Sequence, residues 1–190
     1  MKKTLILALS VMFISLNACK NSNSQKPEDT KKVAEEHNEA KFDAAKEDDA
    51  KFLVAAAEIN LEEIKLGQLA QVNSNMADVK KLGQMMVTEH TKALTDLQGL
   101  ASKKQVTIPA SITDNGQDAY TKLSVKTASK FDKDYTDMMV KGHKDAIDKF
   151  EKASTGAADA DIRAWATSML PALRMHLDMS MTCQKKCEKM

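Results

Sequence analysis

Proline, glycine and aromatic residues are scarce in this 190-residue chain: three prolines, six glycines and 4% aromatics. So few breakers argue against a loop-rich or all-β fold and leave room for long helices. With so few rings, the core is built from Leu, Met, Ala and Val, and the twelve methionines make it adaptable and polarizable. Three cysteines are too few for a disulfide framework. An excess of charge is missing too. Lys2 and Lys3 precede the point where a leader would end, and without them 26 basic residues face 27 acidic ones. That balance gives no electrostatic reason to expect nucleic acid as a partner. The one long apolar run, residues 4–16, is too short to span a bilayer.

That run instead reads as a leader. Lys2 and Lys3 form its positive start, and Leu16-Asn17-Ala18-Cys19 follows. The four residues resemble the lipobox of bacterial lipoproteins, which implies lipidation of Cys19, export, and anchoring to a membrane, most simply the outer membrane facing the periplasm. Residues 1–18 are then signal peptide. Residues 19–48 are a lipidated Cys and a polar tether, whose second half has helical charge spacing and carries an exposed His37. A bundle over 49–182 and a tail over 183–190 with Cys, Met and Lys complete the expected organisation.

Apolar steps of three and four predict four long helices over about 50–72, 76–104, 129–154 and 160–187, with Asp48 or Asp49 capping the first. Pro109 and the polar SITDNGQD stretch mark a long crossover carrying a short helix near 117–126. Pro171 lies inside the last helix, where it should produce a kink and free the carbonyl of Thr167. The fold class is all-α, an antiparallel bundle of about 140 residues.

Two ten-residue stretches organise the reading: MMVTEHTKAL at 85–94 and MMVKGHKDAI at 138–147. Each places a histidine, His90 or His143, inside an otherwise apolar stripe. His176 does the same on the last helix and Glu63 on the first. A stripe covers about three positions in seven, so chance would put all three histidines there about one time in twelve. Buried imidazoles and carboxylates need partners. Four from four helices can satisfy one another or bind a metal, and these donors suit zinc, iron, manganese or copper.

With the 73–75 and 154–158 turns taken as a common level, Glu63, His143 and His90 fall at about 16, 20 and 24 Å. His176, at about 30 Å, falls closer to Tyr135 and Asp132, which could orient it as a separate group. A second candidate is the sulfur-rich end of the chain. There His176, Cys183 and Cys187 share a face, as a soft-metal site for Cu(I) or zinc, or as a disulfide pair. The pattern offers no activated nucleophile and no evident substrate pocket, which argues for a binding module over an enzyme. A structural or protein-interaction module with a self-satisfied polar core is the alternative.

Four blocks, FLVAAAEINLEEIKLGQLA, MMVTEHTKAL, FDKDYTDMMVKGHKDAIDKFE and LPALRMHLDM, resemble the bacterial family called domain of unknown function 4142 over about 49–181. The resemblance implies a ferritin-like bundle, often in exported proteins. Its recurring positions match Glu63, Gly67, His90, Phe131, Asp132, Tyr135, His143, Pro171 and His176, and it carries no activity over. Di-iron bundles of that fold use Glu-x-x-His on two helices. Here Val87 stands before His90 and Leu173 before His176, so a single-ion site fits better than a di-iron centre.

Overall fold

A computed structural model describes residues 28–189; Cys19 and the leader lie outside them. Six helices follow in order: α1 Thr30–Glu39, α2 Ala44–Asn73, α3 Ala77–Lys104, α4 Asp114–Ser124, α5 Ala128–Gly156 and α6 Ala160–Cys187. The four long ones form an all-helical bundle. Local sequence sets their ends. Asp43, Thr113 and Asp159 cap α2, α4 and α6 by accepting from backbone N–H groups in the first turn. Helix α3 stops where Gln105 turns left-handed at φ 58° and the Val106 N–H reaches back 2.9 Å to the Ala101 carbonyl. Helix α6 continues through Pro171.

Asp49 does not cap α2. It is buried, and its carboxylate accepts from the backbone N–H groups of Ala158 (2.9 Å) and Asp159 (2.8 Å) in the α5–α6 turn. Lys104 at the end of α3 pairs with Asp159 at 2.6 Å. At the far end Lys186 of α6 pairs with Asp78 at the start of α3, also at 2.6 Å. These contacts fix the connectivity. The α2–α3 and α5–α6 hairpins are antiparallel pairs, but their turns lie at opposite ends of the bundle. The 105–127 crossover therefore spans its length, and α3 and α5 run in parallel. The common reference level expected for the two turns is incorrect.

Within the first hairpin the backbones approach closely at Gly67 and Gly83. A Cβ on either glycine would lie 2.7 Å from the other's carbonyl oxygen. Helices α1 and α4 form an outer layer. Asn38 holds the backbone of Thr107 through both its N–H and its carbonyl, at 2.8 Å each, and Lys31 pairs with Glu58 at 2.7 Å. The tether expected over 19–48 is therefore folded from α1 onward. Ala34 and Asn38 supply a buried face that a solvated helix would lack. His37 is hydrogen-bonded to the Thr107 hydroxyl at 2.7 Å.

The core has two apolar clusters. One, at the α5–α6 turn, contains Leu53, Leu97, Phe150 and Ile162. The other, at the α2–α3 turn, contains Leu66, Leu82, Phe131 and Cys183. Between them each long helix contributes a buried polar residue at mid-height: Asn60 and Glu63, His90, His143 and His176.

Candidate metal centre

With the hairpin turns at opposite ends, heights can be counted from the α2–α3 end. His90 lies thirteen residues into α3, His143 fifteen into α5, and His176 eleven before the end of α6. At 1.5 Å per residue the three fall at about 20, 22 and 16 Å, so they share a level. The structure brings all three together, and His176 is not a separate group. Ring centroids lie 5.6 Å (His90–His143), 5.2 Å (His90–His176) and 5.4 Å (His143–His176) apart, and one ligating atom from each lies within 4.8 Å of the others.

Neighbouring groups settle the tautomers. Asn60 donates its amide to the Ala56 carbonyl at 2.8 Å, which turns its oxygen toward His90 Nδ1 at 2.9 Å. His143 Nδ1 donates 2.8 Å to the Met139 carbonyl, four residues back on its own helix. Both rings therefore carry hydrogen on Nδ1 and a lone pair on Nε2. Neither Nε2 has a protein partner among the described residues, nor does either nitrogen of His176. The imidazoles meet edge to face or tilted and do not bond one another. Burial keeps all three neutral. It lowers His143 and His176 to about 4 and His90 well below the usual range, helped at His90 by the two neighbouring rings. Neutral imidazole is the metal-binding form.

Glu63 stands elsewhere. Its Oε1 lies 3.8 Å from His143 Nδ1, the edge already committed to Met139. The carboxyl is thus behind His143, away from its Nε2, and burial, then Glu62, pushes its pKa well up. Tyr135 is buried with an unpartnered hydroxyl, and Asp132 has an unpartnered Oδ1. No hydrogen bond joins either to His176 among the described residues, so neither orients it as expected. Cys183 and Cys187 are free thiols, about two and three turns nearer the α2–α3 end than His176. Cys183 donates to the Asp78 carbonyl at 3.7 Å and Cys187 lies 3.6 Å from the Met76 sulfur. The face they share with His176 is too long for one ion to bridge.

Sequence reasoning missed two features. Asn60 is four residues after Ala56 and three before Glu63, so its place on the stripe was readable. A pocket of about 190 Å³ between α3 and α6 was not. Apolar Ala93, Phe150, Met169 and Leu173 line it together with polar Glu89, Lys92, Asp96 and Ser168, and it reaches Asn60, His90 and His176.

Residues 33–182 match the family model of the domain of unknown function DUF4142. No curated protein and no solved structure matches the chain. The family match starts earlier than the resemblance in the sequence, taking in most of α1, and covers the whole polar layer. The chain is a member of the DUF4142 family.

Proposed function

We propose that the domain binds one transition-metal ion through Nε2 of His90, Nε2 of His143 and one ring nitrogen of His176. The observation that carries this reading is the convergence of three neutral, buried imidazoles whose inward nitrogens have no protein partner. Leaving such atoms unpaired costs about 1–3 kcal/mol each. Tetrahedral bonds of 2.0–2.1 Å put ligand nitrogens about 3.4 Å apart, so atoms now within 4.8 Å of one another need close by at most ~1.4 Å. Asn60 and the Met139 carbonyl act as the outer acceptors that metal-bound imidazoles require. Three nitrogens without a carboxylate favour zinc or copper over manganese, and the missing carboxylates argue against a di-iron oxidase. The lipobox-like Cys19 supports a lipid-anchored, envelope-facing setting, where the domain would hold or hand on the ion.

Elemental analysis of the purified protein beside its His90→Ala, His143→Ala and Glu63→Gln variants tests this. One equivalent of metal, lost in both histidine variants and kept in Glu63→Gln, is expected. No metal in the parent protein after reconstitution would leave the histidines as core architecture.

A further inference from the structure

The sulfur-rich end of α6 lies outside the imidazole layer. Cys183 and Cys187 follow His176 by about 10 and 16 Å along the helix, so neither shares its ion. Both thiols face the first turn of α3. Cys183 Sγ is 3.7 Å from the Asp78 carbonyl, and Cys187 Sγ is 3.6 Å from the sulfur of Met76, the residue that precedes α3. Two cysteines one turn apart and a methionine distant in sequence thus bring three sulfur donors to the place where α6 ends and α3 begins. Cys183 is buried, while Cys187 and Met76 are half-buried, which leaves an ion a way in from solvent.

The spacing argues against a disulfide and for an ion. Residues four apart on a regular helix hold their Cβ atoms about 5–6 Å apart, whereas a disulfide needs about 3.5–4.5 Å. Helix α6 stays regular through Cys187, and both thiols are free. Two sulfurs bonded to one ion at about 2.3 Å stand about 3.8–4.0 Å apart, and Cys187 and Met76 are already close to that separation. Burial pushes the Cys183 thiol up, as do Asp78 and Cys187, with Lys186 opposing. Burial pushes Cys187 up too, Thr136 opposing and Asp132 and Asp137 adding to it. Only an ion that bonds sulfur strongly displaces protons held this way. Among the described residues the compact set of three His, Cys, Asp or Glu ligands is the imidazole triad, so the cysteines lack the third and fourth ligands that zinc takes. Thiolate with thioether is a soft-metal donor set. We propose that Met76, Cys183 and Cys187 form a second metal site, separate from the imidazole centre, that binds Cu(I) through one thioether and two thiolate sulfurs. Each thiol releases its proton to solvent as the ion binds, and no electron is transferred, so the copper arrives already reduced.

The full chain carrying Cys19→Ser, in which Cys183 and Cys187 are the only thiols, is titrated without oxygen with Cu(I) against a competing chelator, and separately with zinc. Thiolate-to-copper ultraviolet absorption is expected to saturate with one bound Cu(I) and to be unchanged by His90→Ala, which separates this site from the imidazole centre. Copper X-ray absorption of that His90→Ala protein should find three sulfur neighbours. Cys183→Ser and Cys187→Ser should each lose the absorption. Met76→Leu, which conserves volume and so the fold, should leave two sulfur neighbours and release the copper to the chelator sooner. Cu(I), but not zinc, should protect both thiols from alkylation. Absorption that survives either serine variant, a third sulfur retained in Met76→Leu, protection by zinc, or a Cys183–Cys187 disulfide in protein isolated without reductant overturns the inference. So does the absence of any thiolate-bound copper, and each of these results leaves the imidazole reading standing.

Discussion

Substituting Asn60 separates a metal-supporting role from a packing role. In the metal-free protein Asn60 makes two bonds, accepting from His90 and donating to Ala56. Asn60→Ala leaves the buried His90 Nδ1–H and the Ala56 carbonyl without their side-chain partner, at about 1–3 kcal/mol for the orphaned group. It also leaves His90 free to rotate or change tautomer, which is expected to weaken zinc binding about 10–100-fold. Asn60→Asp has the opposite signature. A buried carboxylate destabilises the metal-free protein by a comparable amount. With zinc bound, the same carboxylate accepts from His90 Nδ1–H more strongly than an amide does, so zinc affinity equals or exceeds that of the parent. The assays are chelator-competition titration for affinity and chemical denaturation of the metal-free form for stability. If both variants lose stability but keep the parent's zinc affinity, Asn60 is only a packing residue and the tautomer argument fails.

Acid should unfold the metal-free protein early. In the folded protein His143 and His176 sit at about 4 and His90 well below its ordinary value, against 6.5 when unfolded, so their contribution is present above pH 6.5 and is lost as pH falls toward the folded values. Glu63, shifted up, works the other way, contributing below its unfolded value and less as pH rises. Between pH 6.5 and 4.5 the three histidines outweigh the one carboxyl, so stability falls with pH, measurable as urea midpoints across that range. Glu63→Gln should remove the opposing trend and stabilise the metal-free protein at pH 8 by about 1–2 kcal/mol. Unchanged stability there would mean the carboxyl is not under the stress its burial implies. Gly67→Ala should destabilise by about 1–3 kcal/mol, since its Cβ meets the Gly83 carbonyl oxygen, while Gly99→Ala, with open space around it, should gain about 0.5–1 kcal/mol. Paired thermal melts check both.

Periodicity carried much of this architecture. The long helices fall within a few residues of where the apolar steps put them, apart from an earlier start to α2, and the stripe histidines are buried as their spacing implies. Periodicity reports which face of a helix is inward but not which end of the bundle a turn occupies. That depends on pairs far apart in sequence, Asp49 with Ala158 and Lys186 with Asp78, and without them Glu63 and His90 of the first hairpin were levelled against the second hairpin from the wrong end. The side of His143 that Glu63 faces depends on χ angles that spacing does not encode. Helix α1 looked solvated because its composition is polar. Its buried residues are only Ala34 and Asn38, and Asn38 works, like Lys31 toward Glu58, through a partner distant in sequence. The pocket is a gap between helices, and a gap leaves no residue of its own to read.

The three histidines divide unevenly between the hairpins: His90 belongs to the first, His143 and His176 to the second. Each hairpin closes through its own short turn, so its pairing is local and more extensive than the contacts that join it to the other. The seam between them is where chain-distant halves must find each other. An ion held by all three rings, as proposed, would act as a clasp across that seam. Its departure would loosen one hairpin against the other while each stays paired within itself. Amide exchange should then quicken along the α3–α6 and α2–α5 seams before it does inside either hairpin. The same looseness would widen the gap between α3 and α6, so the state that has lost its ion would be the one most open to receiving another.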